Sequence, residues 1–326
     1  MSKITAIVIS YNEKNYIRRA IDSITSQSAD EIEIIIGDDG SSDGSIELIS
    51  QIESQLTDSG ISVSHFVMQR PKPSEKTVPS FRVSSIIKKA LSMATGEYCA
   101  ILSADDVFCD NSKFSDAVSF LDAHKDYSSY VSGFRYTNSP EEHIPEVINT
   151  FLFWGHFDYY HISCFVFRKF DPELLLDRFS DDTGLVYTIL KQGKCKDDSK
   201  VTFEYTQRDE SILHSSTQCE LLIIEAMILQ DVLNDKSPRF GFRFATKSRE
   251  FGHIRDLYAN RHLINDGCYT HYLEDSGKYS NNIAGRLADT TGINNRLWSW
   301  LFYLGMAFDH YVISVLWRIA RIFRKS

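Results

Sequence analysis

Six cysteines in 326 residues form no CxxC pair. That leaves no zinc-type spacing and no dense disulfide framework, so Cys99, Cys109, Cys164, Cys195, Cys219 and Cys268 read as reduced thiols in a cytosolic compartment. Positive charge is also scarce: 35 Lys and Arg against 44 Asp and Glu give a net charge of −9. A chain without a global basic field is a poor nucleic-acid binder. No Gly-Lys-Ser/Thr follows the glycine-rich stretch at Gly37–Ser45, which excludes a Walker loop, and its spacing does not fit the dinucleotide fingerprint. No basic triphosphate-binding loop is visible at Ser10–Asn15. The apolar run Ile4–Ile9 is too short for a signal peptide and enters polar Ser10-Tyr11-Asn12-Glu13 at once. What remains is ordinary globular composition, 43% hydrophobic and 24% charged. The length suits one large domain, or one domain with an extension.

The chain is organised around Gly96–Asp106. Tyr98–Leu102 reads as a short buried strand, entered from Thr95-Gly96 and leaving into the paired acids Asp105-Asp106. Open α/β sheets bind ligands at the carboxyl ends of their strands. Two adjacent carboxylates there repel each other unless a cation offsets them. A divalent metal bridging phosphate oxygens is one reading; a solvated acidic turn is the other.

Upstream, Ile4–Ile9 and Glu31–Ile36 are β-branched runs suited to buried parallel strands. Tyr16, Ile17, Ala20, Ile21 and Ile24 recur at helical spacing, as do Ile46, Leu48, Ile49 and Ile52. Ile61–Met68 alternates as a strand. This β-α-β-α-β order predicts a parallel sheet with right-handed crossovers. Gly37-Asp38-Asp39-Gly40-Ser41-Ser42-Asp43-Gly44 can bring a ligand close to backbone. Its acids can accept hydrogen bonds from a nucleobase or ribose, or Ser42 or Asp43 can cap the next helix. A helix is expected over Phe81–Met93, with Arg82 in its first turn. A cation there opposes the helix dipole, which a phosphate partner or a salt bridge would explain. Asn111 is expected to cap a helix ending near His124. Tyr127–Tyr136 and His161–Arg168 read as strands. Asp181-Asp182 open a helix that ends at Gln192-Gly193.

Taken together these pieces resemble the family-2 inverting glycosyltransferases of the GT-A fold, over roughly residues 1–200. The resemblance is carried by Val8-Ile9-Ser10-Tyr11-Asn12-Glu13, by Asp38–Gly44, by Ala94–Tyr98 leading to Ala104-Asp105-Asp106, and by Asp181-Asp182 with Gly193. It implies a Rossmann-like α/β fold, a mostly parallel sheet flanked by helices, as a catalytic domain at 1–215 with a helical region at 216–326. It further implies that Ser10, Tyr11, Glu13 and Asp39 hold the nucleoside of a nucleotide-sugar donor, with Asp39 on the base. Arg82 matches an arginine used on the diphosphate. In the segment matching the DxD signature, Ser103 stands where an Asp is common; Asp106 is favoured as the ligand of Mn²⁺ or Mg²⁺, with Asp105 on the ribose or a metal-bound water. Asp182 matches the base, although Asp181 beside it is also an acid.

The implied reaction is metal-dependent transfer of a hexosyl or N-acetylhexosaminyl group, commonly from a UDP-sugar, to a glycan or lipid-linked acceptor of the cell envelope. A divalent ion offsets charge on the leaving diphosphate while a carboxylate takes the acceptor proton. Two other classes stand beside this reading: a non-catalytic nucleotide-sugar-binding or scaffold protein, and a nucleotidyltransferase, which the missing basic loop disfavours. The aromatic run Phe151–Tyr160 reads as core or as an acceptor wall. Leu297–Trp317 is almost wholly apolar apart from Asp309 and His310, and Arg318, Arg321, Arg324 and Lys325 follow. Three readings compete for 297–326: a spanning helix, an interfacial helix on an anionic inner leaflet, and a helical pair packed on the protein or in a homo-oligomer. The expected location is the cytoplasm, with peripheral membrane contact under the second reading.

Overall fold

The computed structural model describes residues 3–70, 79–145, 161–175 and 182–207; the side chains of 79–81, 182 and 183 are not described. All of these fall in one compact unit built from 1–147 and 159–211. The expectations for Phe151–Tyr160, Asp181, the 216–326 region and the apolar tail lie outside the described residues.

Strand β1 (Ile4–Ser10) is central, and five of its seven residues are Ile, Val or Ala. It pairs in parallel with β2 (Ile32–Asp38), Ile4 opposite Ile32 through Ser10 opposite Asp38. On its other side lies parallel β4 (Tyr98–Ser103), Ile9 opposite Ser103. Strand β3 (Ser62–Val67) extends the parallel half beyond β2. Both faces of β1 and β4 are buried, which is why they read as near-continuous apolar runs. Helix α1 (Ile17–Thr25) turns Ile17, Ala20, Ile21 and Ile24 into the core, the four positions of one helical stripe. Helices α2 (Ser45–Asp58) and α3 (Pro79–Met93) complete the crossovers. Gly37 lets α3 close on the sheet: a Cβ there would stand 2.3 Å from Ile86 Cγ2 and 2.8 Å from Phe66 Cζ.

A second half continues the same sheet in mixed orientation. After β5 (Val107–Phe108) come α4 (Lys113–Ala123), β6 (Tyr127–Tyr136) and β7 (Glu142–His143); β8 (Phe165–Arg168), α5 (Asp182–Gln192) and β9 (Lys194–Tyr205) follow. The order is β3-β2-β1-β4-β8-β6-β9-β5, with β7 paired to β6. Strand β8 is antiparallel to both β4 and β6, while β9 is parallel to β6. Thus β1, β2, β3, β4, β6 and β9 all point their carboxyl ends to one edge.

Glu33 ties the first half together. It accepts from Thr5 Oγ1 (2.6 Å), Thr95 N (2.8 Å) and Thr95 Oγ1 (2.7 Å). Burial pushes its pKa up, but these hydrogen bonds outweigh burial and hold it below the ordinary value.

Two expectations are corrected. Asn111 does not cap α4. Asp110 Oδ1 accepts both Ser112 N and Ser112 Oγ at 2.7 Å, closing a turn one residue earlier, and Asn111 Oδ1 instead accepts from Ser26 Oγ. His161–Arg168 is not one strand either. The His161 side chain accepts Ser163 N–H and opens a 3-10 turn at Ile162–Cys164, so β8 is only Phe165–Arg168.

Candidate active site

Three loops leave the carboxyl edge side by side. Because β2 and β4 flank β1, the exits at Ser10, Asp38 and Ser103 are neighbours. Two backbone bonds continue the ladders past the strands: Asp39 N to Ser10 O, 2.9 Å, and Ala104 N to Ile9 O, 2.8 Å.

The β1 and β2 exits are stitched together. Asn12 adopts φ +56°, a left-handed conformation that Asn tolerates better than most residues. It donates its N–H to Ser41 Oγ (2.7 Å) and accepts Ser42 N–H at Oδ1 (2.9 Å). Lys14 N–H reaches Asp43 Oδ2 at 3.1 Å. Asp43 also accepts Ser45 N–H and Oγ, closing a turn just ahead of α2; the N-cap itself is Gly44 with no side-chain cap bond, so neither Ser42 nor Asp43 is the expected cap. Glu13 is buried, and its carbonyl accepts Tyr16 N and Ile17 N where α1 begins. Ser10 is buried too; its Oγ has no hydrogen-bond partner among the described residues. Tyr11 stands out from the edge, 43% exposed.

The adjacent acids Asp38 and Asp39 do different work. Asp38 is fully buried and closes its own turn, accepting Ser41 N (2.7 Å) and Ser41 Oγ (2.6 Å). Gly40 serves this turn at φ +74°, where a side chain would also meet Arg70 Cγ at 2.6 Å. Asp39 is buried and turns to two arginines. Arg82 Nε donates to Oδ1 (2.7 Å) and Oδ2 (2.9 Å), and its Nη2 stands 2.5 Å from Oδ1. Arg70 Nη2 lies 3.7 Å from Oδ2, and the Arg70 guanidinium sits over the Tyr11 ring, 4.0 Å from its centroid. Arg82 thus makes the salt bridge, with Asp39 as its partner.

The acidic loop after β4 is clamped from behind. Asp106 is buried, and its Oδ1 accepts Thr206 N–H at 2.7 Å. Thr206 Oγ1 donates to the Asp105 carbonyl (2.7 Å), and Arg19 Nη2 donates to both that carbonyl (2.8 Å) and Thr206 Oγ1 (2.9 Å). Strand β5 follows at once and pairs Val107 with Glu204 and Phe108 with Phe203. Arg19, Thr206 and Arg70 therefore join the candidate site without having been singled out in the sequence, and Asn12 stood in the β1-exit motif without a role of its own. Asn12 carried a signal, because an Asn just after a strand suits a left-handed turn. Arg19 and Thr206 carried none.

Among the described residues, no group of three or more His, Cys, Asp or Glu side chains converges as a metal cage. Two hard carboxylates at one strand exit do suit a divalent ion that takes its other ligands from phosphate oxygens and water. Asp106 is the residue that would hold it, with Asp105 beside it on the same loop. Helix α5 begins at Asp182 and runs back to Gln192, where Gly193 leads into β9 at the opposite edge. Asp182 therefore opens the helix on the side of the acidic loops, with its side chain outside the described residues. No helix among the described residues is long and apolar enough to cross a membrane.

Residues 5–74 match the family model described as glycosyl transferase family 2. An uncharacterized glycosyltransferase of Nostoc sp. is 34% identical over 110 residues, 32% of this chain and 29% of that protein. The chain thus spans under a third of the length of the curated relatives of this kind. Among solved structures, residues 1–349 of S. aureus TarS in complex with UDP-GlcNAc superpose with a TM-score of 0.56 at 15% identity, over 88% of this chain and 81% of that one. The mannosyltransferase PcManGT from Pyrobaculum calidifontis, in complex with GDP-Man and Mn²⁺, gives 0.54 at 14% identity, over 88% and 85%.

Proposed function

We propose that this chain, a family-2 glycosyltransferase by its recognisable N-terminal part and its GT-A fold, moves a hexosyl or N-acetylhexosaminyl group from a nucleotide-diphosphate sugar to a hydroxyl of a glycan or lipid-linked acceptor in the cell envelope. The observation that carries this reading is the placement of Tyr11, Asp39 and Asp105-Asp106 on three neighbouring strand exits, with β1 between the acids.

Tyr11 and Asp39 receive the nucleoside, Asp39 on the base, with buried Ser10 and Glu13 supporting the exit of β1. Arg82 holds Asp39 oriented through their forked ion pair, so a diphosphate has to compete for that guanidinium. Asp105 contacts ribose or a metal-bound water, and Asp106 is the protein ligand of Mn²⁺ or Mg²⁺. Such an ion, when bound, supplies charge stabilisation for the departing diphosphate. Asp182, at the start of α5, takes the proton from the acceptor hydroxyl. A base on the face opposite the leaving group makes the displacement inverting, with no covalent glycosyl-enzyme. UDP is the proposed nucleotide.

The domain proposal pairs this catalytic unit, 1–215, with a helical region at 216–326. Membrane contact or oligomerisation through 297–326 is proposed on sequence grounds alone, together with a cytoplasmic location. Thermal unfolding of the full chain with UDP-GlcNAc, GDP-mannose or UDP, each with and without Mn²⁺, tests the core of the reading. Stabilisation by a UDP ligand that depends on the ion is the expected result. A melting temperature unmoved by every nucleotide refutes it.

A further inference from the structure

Arg70 has no task in the proposed chemistry, yet the donor loops give it a built seat. Past the end of β3, Met68 N–H bonds the Asp38 carbonyl at 2.8 Å, which carries the ladder one step beyond the strand and brings Arg70 beside Asp39. The Arg70 stem lies on Gly40, where a Cβ would stand 2.6 Å from Cγ and 3.4 Å from Cδ, so the missing side chain makes room for the arginine. The guanidinium lies over the Tyr11 ring, 4.0 Å from its centroid, with Nη2 3.7 Å from Asp39 Oδ2.

Tyr11 and Asp39 are the two residues given above to the nucleoside. A group that touches both occupies the face of the ring that looks toward the carboxylate. The Arg70 guanidinium is flat and delocalised, it lies on an aromatic face, and its N–H edge points at an acid. A nucleobase stacked on that face with an N–H toward Asp39 would present the same features in the same place. At 4.0 Å the guanidinium and the ring are in van der Waals contact, so no base fits between them. The seat is also one that Arg70 can leave. Its side chain is 41% exposed, its distance to Asp39 is beyond a hydrogen bond, and exposed contacts of this kind are weak. Asp39 keeps its fork to Arg82 when Arg70 moves away.

We propose that Arg70 stands in for the nucleobase in the free protein: it closes the Tyr11 face and has to swing into solvent before a base can stack there. This rests on the nucleoside reading of Tyr11 and Asp39 and adds that the donor site is closed by a side chain of its own. The apparent affinity for a nucleoside is then reduced by the fraction of molecules in which Arg70 is seated.

The test is NMR on the full chain with ¹⁵N-labelled arginine, titrated separately with uridine and with guanosine. The Arg70 Nε–H signal is identified by its loss in Arg70→Lys. The Tyr11 ring should shift its proton upfield in the free protein, and Tyr11→Leu should abolish that shift. A nucleoside that binds should move the signal to the position of a solvated arginine. Arg70→Ala should bind that nucleoside about fivefold more tightly than wild type. Arg70→Lys keeps the stem and the charge but cannot lie flat on the ring, so it should fall between the two, and it carries the comparison if Arg70→Ala unfolds. Binding that is unchanged or weakened in both variants, or a ring-shifted signal that persists with the nucleoside bound, overturns the displacement and leaves the nucleoside reading standing. If neither nucleoside binds wild type or either Arg70 variant, the nucleoside reading fails and the displacement fails with it.

Discussion

Asp39 and Arg82 form a forked ion pair: one guanidinium nitrogen, Nε, donates to both carboxylate oxygens, at 2.7 and 2.9 Å. Both side chains are only 12% exposed. Arg82 is in the first turn of α3 and Asp39 is the residue after β2, so the pair joins the third helix to the proposed nucleoside pocket. Breaking one partner of such a pair leaves the other charge poorly solvated. Arg82→Ala should cost about 2–4 kcal/mol of stability and weaken UDP binding at least about tenfold. Arg82→Lys, which cannot make the fork, should recover only part of either. Urea unfolding and calorimetric titration with UDP check this; wild-type UDP affinity in Arg82→Ala would separate the pair from the pocket.

Asp106 has a structural bond to Thr206 and a proposed role as ion ligand, and two substitutions part them. Asp106→Asn keeps an oxygen for the Thr206 amide but loses the charge; Asp106→Ala loses both. Both should lower transfer about a thousandfold and abolish stabilisation by Mn²⁺ with UDP. Only Asp106→Ala should also lose about 1 kcal/mol of ligand-free stability. Transfer by Asp106→Asn at the wild-type rate would refute the ion role.

Asp182→Asn removes the proposed base without touching the donor loops. Transfer should fall by about 10²–10⁴ while the UDP-dependent shift in melting temperature stays as in the wild type. A lost UDP shift would place Asp182 on the donor instead.

Lys113 gives a pH-dependent test of the second half of the sheet. Its ammonium is fully buried at the start of α4, donating to Ser132 Oγ (2.8 Å), Thr202 Oγ1 (2.9 Å) and Cys164 O (3.0 Å), with the Phe108 ring beside it. Burial pushes its pKa down to about 8, partly opposed by Cys164, Cys109, Asp110 and Asp198. The unfolded chain holds this proton up to about pH 10.4, so between about pH 8 and that value the unfolded state carries more protons. The contribution of Lys113 to stability must then rise with pH across this window and be flat below it. Burial raises the thiols of Cys99 and Cys195 to about 12 and the hydroxyl of Tyr98 likewise, and it also raises Tyr130; these acids tilt stability the other way above pH 9. They are common to both proteins, so the difference between wild type and Lys113→Met isolates the lysine. That difference should shift by about 2–3 kcal/mol in favour of wild type from pH 7.5 to 10. Urea unfolding at several pH values measures it, and a flat difference refutes the buried charge.

The order of elements was set locally. β-Branched runs at Ile4–Ile9 and Ile32–Ile36, and the helical stripe Ile17, Ala20, Ile21 and Ile24, need only residue shape and spacing to be read. Paired acids at strand exits were equally plain, because a strand that ends in two carboxylates announces a loop at a sheet edge. Residue type alone could not divide the labour between neighbours: Asp38 and Asp39 are the same side chain one position apart. Alternation along the chain turned one into its own turn and the other toward Arg82, 43 residues away. The clamp on Asp105-Asp106 comes from Arg19 and Thr206, 86 and 100 or 101 residues distant. Local sequence fixes torsions and burial face; contacts between distant segments exist only once strand order and register have closed the sheet.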